Sequence, residues 1–137
     1  MTQQAVLDES TSFVLDASAL LAWLHREPGL EIVEASLGSS VICSVNWSEV
    51  LQKIIARGDQ QPRDVGGDLE FLGLIVIPFT AGDAMTAANL WAVGRNVGLS
   101  LGDRACLSLA QRLGLPVLTT DRVWETLSLG IDVRLIR

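Results

Sequence analysis

Residues 100–124 read SLGDRACLSLAQRLGLPVLTTDRVW, and this stretch decides the fold. Ala105, Cys106, Leu109, Ala110 and Leu113 recur at the spacing of one helix face. Gly114 and Pro116 stop that helix. Val117 to Thr120 is then a short aliphatic run closed by a charge, which reads as a buried strand. An acid stands at each end of the unit, Asp103 in the first helical turn and Asp121 just past the strand. The 18 positions from Asp103 to Asp121 are enough for one helix and one strand.

The same alternation continues outward. Ser12–Asp16 (SFVLD) reads as a strand ending in an acid, and Ala17–His25 as a helix broken by Glu27-Pro28-Gly29. Leu30–Leu37 is a second short helix closed by Gly38, and Ser40–Val45 a second strand. From Trp47, the residues Trp47, Val50, Leu51, Ile54 and Ile55 mark a helix face that ends at Arg57-Gly58-Asp59. Residues 62–72 give a weaker helix and Leu74–Phe79 a third strand. A long helix carrying Ala84, Met85, Ala88, Trp91 and Ala92 runs to about Asn96, and Val133–Ile136 is a fifth strand. The strands are continuous and aliphatic rather than alternating, as when helices cover both faces of a parallel sheet. The predicted class is therefore α/β in three layers, α/β/α. Residues 1–11 are polar and read as a flexible extension, with 12–137 a single domain.

Composition narrows the function. With 49% hydrophobic residues, 19% charged and a mean hydropathy of +0.37, the 137-residue chain is not of the disordered type. There is no apolar run of spanning length and no secretory leader pattern, so the expectation is a cytoplasmic protein without a membrane role. Cys43 and Cys106 sit in apolar runs and read as buried thiols in a reducing compartment. A net charge of −6 argues against a general nucleic-acid coat. It does not argue against a nuclease whose own site is acidic. Lys53 is the only lysine and no Gly-Lys-Ser/Thr occurs, which removes a P-loop. His25 is the only histidine and there is no GxSxG, so a histidine-rich zinc site and serine-hydrolase chemistry are removed too.

Four acids fall at one kind of position. Asp16 and Asp121 follow strands one and four. Glu49 is read in the first turn of the helix after strand two, and Asp103 in that before strand four. Carboxyl ends of parallel strands and amino ends of their helices share one sheet edge, where open α/β sheets bind ligands. If strands one and four are neighbours, Asp16 and Asp121 meet there. Each acid also has an ordinary reading, which for Asp103, as for Glu49, is a favourable interaction of a first-turn acid with the helix dipole. Asn46 to Glu49 has capping-box spacing, Asp121 can cap the turn of Val123 and Trp124, and Asp16 can make an Asx-turn. Four acids together are harder to explain so. Two carboxylates roughly 4 Å apart at an effective dielectric of 20 repel by about 4 kcal/mol. An all-oxygen donor set without histidine or thiolate suits Mg²⁺ or Mn²⁺. Ser18 reads as an N-cap that can also orient Asp16, and Thr120 is similar. Trp23, Trp47, Trp91 and Trp124 read as core or interface, and Asp83 as the start of its helix.

Taken in order, VLDASALLAWLHREPG (14–29), SVNWSEV (44–50) and LSLGDRACLSLAQRLGLPVLTTDRVW (99–124) resemble the PIN-domain family. Within it they look most like the VapC toxins of bacterial toxin–antitoxin pairs. The likeness runs from about residue 12 to residue 136. It implies a sheet of about five parallel strands in the order 3-2-1-4-5. It implies an Mg²⁺- or Mn²⁺-dependent endoribonuclease that cuts tRNA or ribosomal RNA and stops translation, a VapB-type antitoxin as partner, and a homodimer. The family's catalytic and metal-holding acids fall on Asp16, Glu49, Asp103 and Asp121. Its Ser or Thr beside the first and last acids falls on Ser18 and Thr120.

Arg104 and Arg122 follow two of the acids and are the candidate phosphate contacts; Arg26 and Arg57 end helices. The helix faces carrying Trp47 and Trp91 are candidates for the homodimer seam or the antitoxin groove. The alternative reading is a non-catalytic PIN-like module that binds RNA or protein. A phospho-receiver domain shares the architecture, but needs an acidic pair after strand one and a lysine after strand five. Here Asp16 is followed by Ala17, and no lysine lies near the end.

Overall fold

The computed structural model describes residues 11–137, so the extension expected over 1–11 lies, but for its last residue, outside the described residues. Five strands form one parallel sheet: β1 (Phe13–Leu15), β2 (Ser40–Cys43), β3 (Ile75–Ile77), β4 (Val117–Thr119) and β5 (Val133–Leu135), in the order β3-β2-β1-β4-β5. Six helices flank it: α1 (Ala17–Leu24), α2 (Leu30–Ser36), α3 (Ser44–Arg57), α4 (Pro62–Phe71), α5 (Ala81–Gly94) and α6 (Leu101–Leu113). Short 3-10 turns cover Leu37–Ser39 and Arg122–Thr126.

The pleat sorts the core into two layers. Leu15, Ile42 and Leu118 face one side, where they pack with Ala19, Leu20, Val33, Val50, Ile54, Val65 and Leu69 of α1–α4. Val14, Val41 and Val117 face the other, against Leu90 of α5, the middle of α6 and Trp124. Helix α6 is buried from Ala105 through Ala110 on nearly all sides, so its middle reads as a core helix rather than an amphipathic one. The 14-residue α5 presents Met85, Trp91 and Val93 to solvent, with Trp91 53% exposed. Cys43 and Cys106 are free and buried, as expected.

Three local expectations are corrected. Helix α3 begins at Ser44, not Trp47, with Cys43 at its N-cap. Asn46 is therefore inside the helix and makes no capping box, and Glu49 stands in the second turn. Ser18 is not an N-cap either; Asp16 is, accepting from the Ala19 N–H. Strand β1 ends at Leu15, one residue earlier than SFVLD suggests, which leaves the Asp16 carboxylate free to close α1. Asp83 does start α5 in a capping box with Thr80, and it also forms a two-point ion pair with Arg112 of α6.

Candidate active site

Chain order reverses around β1: β2 and β3 lie on one side, β4 and β5 on the other. The β1–β4 register pairs Val14 with Val117 and Leu15 with Leu118. One step further along, Asp16 stands beside Thr119. A cleft of about 360 Å³ opens here, lined by Asp16, Ser18, Asn46, Glu49, Asp103, Thr120 and Asp121, together with Ala17 and Leu21. All four acids singled out in the sequence line it. Ser18 and Thr120 line it as well.

Each acid is set by its own local structure. Asp16 is 5% exposed. Its Oδ1 accepts from the Ser18 hydroxyl at 2.7 Å and the Ala19 N–H at 2.8 Å, and its Oδ2 from the Thr119 hydroxyl at 2.5 Å. Burial pushes the Asp16 carboxyl up to about 6, against those three hydrogen bonds, and the Asp103 charge raises it further. Asp103 closes a capping box with Ser100 at the start of α6. Asp121 caps the following 3-10 turn through the Val123 N–H at 3.0 Å. Glu49 accepts from the Asn46 side-chain amide at 2.9 Å. Gly102, in the first turn of α6, makes room for it: a Cβ there would lie 2.7 Å from both Glu49 oxygens.

The arginines divide. Nη1 of Arg104 donates to the Ala87 carbonyl at 2.8 Å, tying α6 to α5, so this guanidinium is engaged within the scaffold. Arg122 is exposed beside Asp121. The ion pairs among the described residues are Arg57–Asp59, Arg112–Asp83, Arg134–Asp132 and Arg137–Glu27. None of them reaches the cleft, so its four carboxylates have no basic side chain to offset them.

This donor set fits a hard divalent cation: carboxylate, hydroxyl and amide oxygens, no sulfur or imidazole, and charge that repels itself. Among the described residues, however, no three His, Cys, Asp or Glu side chains are gathered into a cation-holding group. The acids line one cleft without forming such a group. Sequence reasoning missed two polar residues of this site. Thr119 is fully buried and links Asp16 to the Asp121 N–H, which donates to its Oγ1 at 3.0 Å. Asn46 is 2% exposed and links Glu49 to α6. Nothing in the sequence singles out Thr119, whose place next to Asp16 comes from the strand register. The signal for Asn46 was its place three residues before Glu49, one helical turn away.

The fold and cleft define a parallel α/β domain that gathers acids at its topological switch point. The PIN domain model matches residues 13–128, and the chain belongs to the PIN domain family. No curated protein sequence matches it. Among solved structures it is similar to a toxin–antitoxin complex from Klebsiella pneumoniae, at TM-score 0.75 and 19% identity over 92% of this chain and 98% of that one. It is similar to DNA-bound VapBC from Salmonella typhimurium, at TM-score 0.69, 19% identity and the same coverage. A third is VapC20 of Mycobacterium tuberculosis, described as a sarcin–ricin-loop-cleaving toxin, at TM-score 0.69 and 15% identity over 84% of this chain and 94% of that one. These likenesses show a shared fold. No helix among the described residues is long and apolar enough to cross a membrane.

Proposed function

We propose that this chain is an Mg²⁺- or Mn²⁺-dependent endoribonuclease, the toxin of a VapBC-type pair, which hydrolyses phosphodiester bonds of tRNA or ribosomal RNA in the cytoplasm and so stops translation. One observation carries the reading: four carboxylates from four separate segments line one cleft with no basic side chain among them. Such a site is costly to an isolated protein, and a divalent cation relieves it.

Asp16 and Asp103 are the principal cation ligands, and Glu49 and Asp121 complete the set or hold the attacking water. A bound divalent ion supplies charge neutralisation at the phosphate and acidifies a water. The chain's own part is positional. Ser18, Thr119 and the Ala19 N–H fix both oxygens of Asp16. The capping box fixes Asp103. A carboxylate oxygen of Glu49 or Asp121 takes the proton of the water that attacks phosphorus, and the 3′ oxygen leaves and takes up a proton from solvent, giving 5′-phosphate and 3′-hydroxyl ends. An antitoxin segment of basic or apolar character silences the site by entering the acidic cleft. A second copy of the chain covers the exposed apolar side of α5, where Met85, Trp91 and Val93 stand. A single-chain mass by light scattering at working concentration excludes that pairing.

The test is cleavage of bulk tRNA and ribosomal RNA by purified protein with Mg²⁺ or Mn²⁺. EDTA and Asp16→Asn each abolish it while the fold persists. Full metal-dependent activity in Asp16→Asn overturns the site assignment. A second reading, a PIN-like module that binds RNA or protein without cutting, draws on the absence of a ready-made cation cage among the described residues. RNA binding with no EDTA-sensitive cleavage decides for it.

A further inference from the structure

The side chain of Asn46 is a buried polar group whose hydrogen bonds are only partly made. It is 2% exposed, and its Oδ1 is buried without a hydrogen-bond partner. An unmade buried acceptor costs stability. What the amide does make is specific. Nδ2 donates at 2.9 Å to Oε1 of Glu49, one turn on in the same helix, and at 2.9 Å to the carbonyl of Gly102 in the first turn of α6. Both protons of one amide are thus used to join α3, α6 and the Glu49 carboxylate. On its other side that carboxylate lies against Gly102, where a Cβ would come within 2.7 Å of both oxygens. Glu49 is therefore held by the Asn46 amide in space that exists because Gly102 has no side chain. Among the four acids of the cleft it is the only one that caps no helix or turn.

From this geometry we infer that Asn46 and Gly102 form a clamp that positions Glu49 in the cleft. Asn46 is a positioning residue, not a catalytic one. The inference rests on the proposed metal-dependent reading for its consequence, but the clamp itself is a property of the metal-free protein. The clamp restricts Glu49 to the wall of α6, so a cation drawn toward Asp16 and Asp103 meets Glu49 already in place. Groups that orient metal ligands in this way typically change metal affinity about 10–100-fold when removed.

The experiment has two readouts on the intact chain. In the metal-free protein, the Asn46 side-chain amide protons are followed by ¹⁵N-resolved NMR. A slowly exchanging pair that shifts in Glu49→Gln and in Gly102→Ala is the expected result. A fast-exchanging pair that neither substitution moves overturns the clamp. Mn²⁺ affinity is then measured by EPR without RNA, for the parent, Asn46→Ala, Gly102→Ala, Glu49→Ala and the two double variants with Glu49→Ala. Each single variant is expected to weaken Mn²⁺ binding about 10–100-fold. The doubles should bind no worse than Glu49→Ala alone, because the clamp has nothing left to hold. A Cβ at Gly102 must displace the Glu49 carboxylate, so the melting temperature of each variant in EDTA is measured alongside to separate loss of folding from loss of positioning. Parental affinity in Asn46→Ala and Gly102→Ala, or full additivity with Glu49→Ala, overturns the positioning role. A parent that shows the NMR signature but binds no Mn²⁺ overturns the proposed function and the clamp's role in metal binding, while leaving the geometry standing.

Discussion

The hydroxyl of Thr119 donates to Oδ2 of Asp16 at 2.5 Å and accepts the Asp121 N–H at 3.0 Å, so one buried oxygen joins the acids at the ends of β1 and β4. The bridge crosses 103 residues of sequence and holds the switch point together. Thr119→Val keeps the shape and removes both bonds. The Asp121 N–H loses its partner, and Asp16 loses the hydrogen bond that most lowers its pKa. The expected outcome is a loss of about 1–3 kcal/mol in urea unfolding and a fall in cleavage of about 10–100-fold. Thr119→Ser, which retains the hydroxyl, should recover most of both. Parental activity in Thr119→Val would show that the bridge does not organise the site.

The metal-free protein should become more stable as the solution is acidified from pH 7 toward 5. Folding raises the Asp16 carboxyl from 3.8 to about 6. Between those values the folded state holds a proton that the unfolded chain has released, so stability rises as pH falls through 6 and levels off near 4. Two pH units correspond to at most about 3 kcal/mol. Asp16→Asn should remove this slope and raise the neutral-pH melting temperature. The asparagine Oδ1 can still accept from Ser18 and Ala19, and no charge remains to be buried. Saturating Mn²⁺ should reverse the slope, because the cation selects the carboxylate. Melting temperatures in EDTA across pH 4.5–7.5 decide it, and a flat or falling profile on acidification counts against the burial of Asp16.

The pair of Asp83 and Arg112 should behave in the opposite way. Burial opposes ionisation of Asp83, but the Arg112 hydrogen bonds and the Thr80 N–H outweigh it and leave its carboxyl below the usual value. Its contribution is present above about pH 4 and is lost as pH falls below that. Arg112→Met leaves Asp83 buried without its cation and should cost about 3 kcal/mol or more. The pair lies outside the cleft lining. The protein that remains folded should therefore keep the divalent-ion requirement proposed above, measured as the Mg²⁺ concentration for half-maximal cleavage.

The layer architecture was legible because each strand was a short aliphatic run and each helix had a punctuated end. Gly114 and Pro116 marked the α6–β4 turn, and the acids marked one sheet edge. Pairing was not legible. That Thr119, not Thr120, bonds Asp16 follows from the register of Leu15 with Leu118, and a sequence does not carry register between strands 103 positions apart. The start of α3 was missed for a different reason. Its N-cap is Cys43, which makes no side-chain cap bond, so the Asn and Ser after it supplied a false start signal. Arg104 and Arg122 looked alike in sequence because both follow an acid. Only the packing of α5 on α6 separates them.

That separation gives the last prediction. The proposed ribonuclease activity requires that the protein hold the phosphates of RNA, and arginines are the available donors. Arg104 is committed to the Ala87 carbonyl at 2.8 Å, and its Nε is buried without a partner. Arg122 is exposed beside Asp121, with no ion pair among the described residues. RNA affinity should be measured in the cleavage-deficient Asp16→Asn background across a salt series. Arg122→Ala should weaken binding and reduce the slope of log K against log salt by about 0.7, the value for one contact to a single strand. Arg104→Ala should leave that slope unchanged and lower the melting temperature instead, because its guanidinium ties two helices rather than the substrate. An unchanged slope in Arg122→Ala would remove it from the RNA path, and a reduced slope in Arg104→Ala would mean that its guanidinium leaves Ala87 when RNA binds.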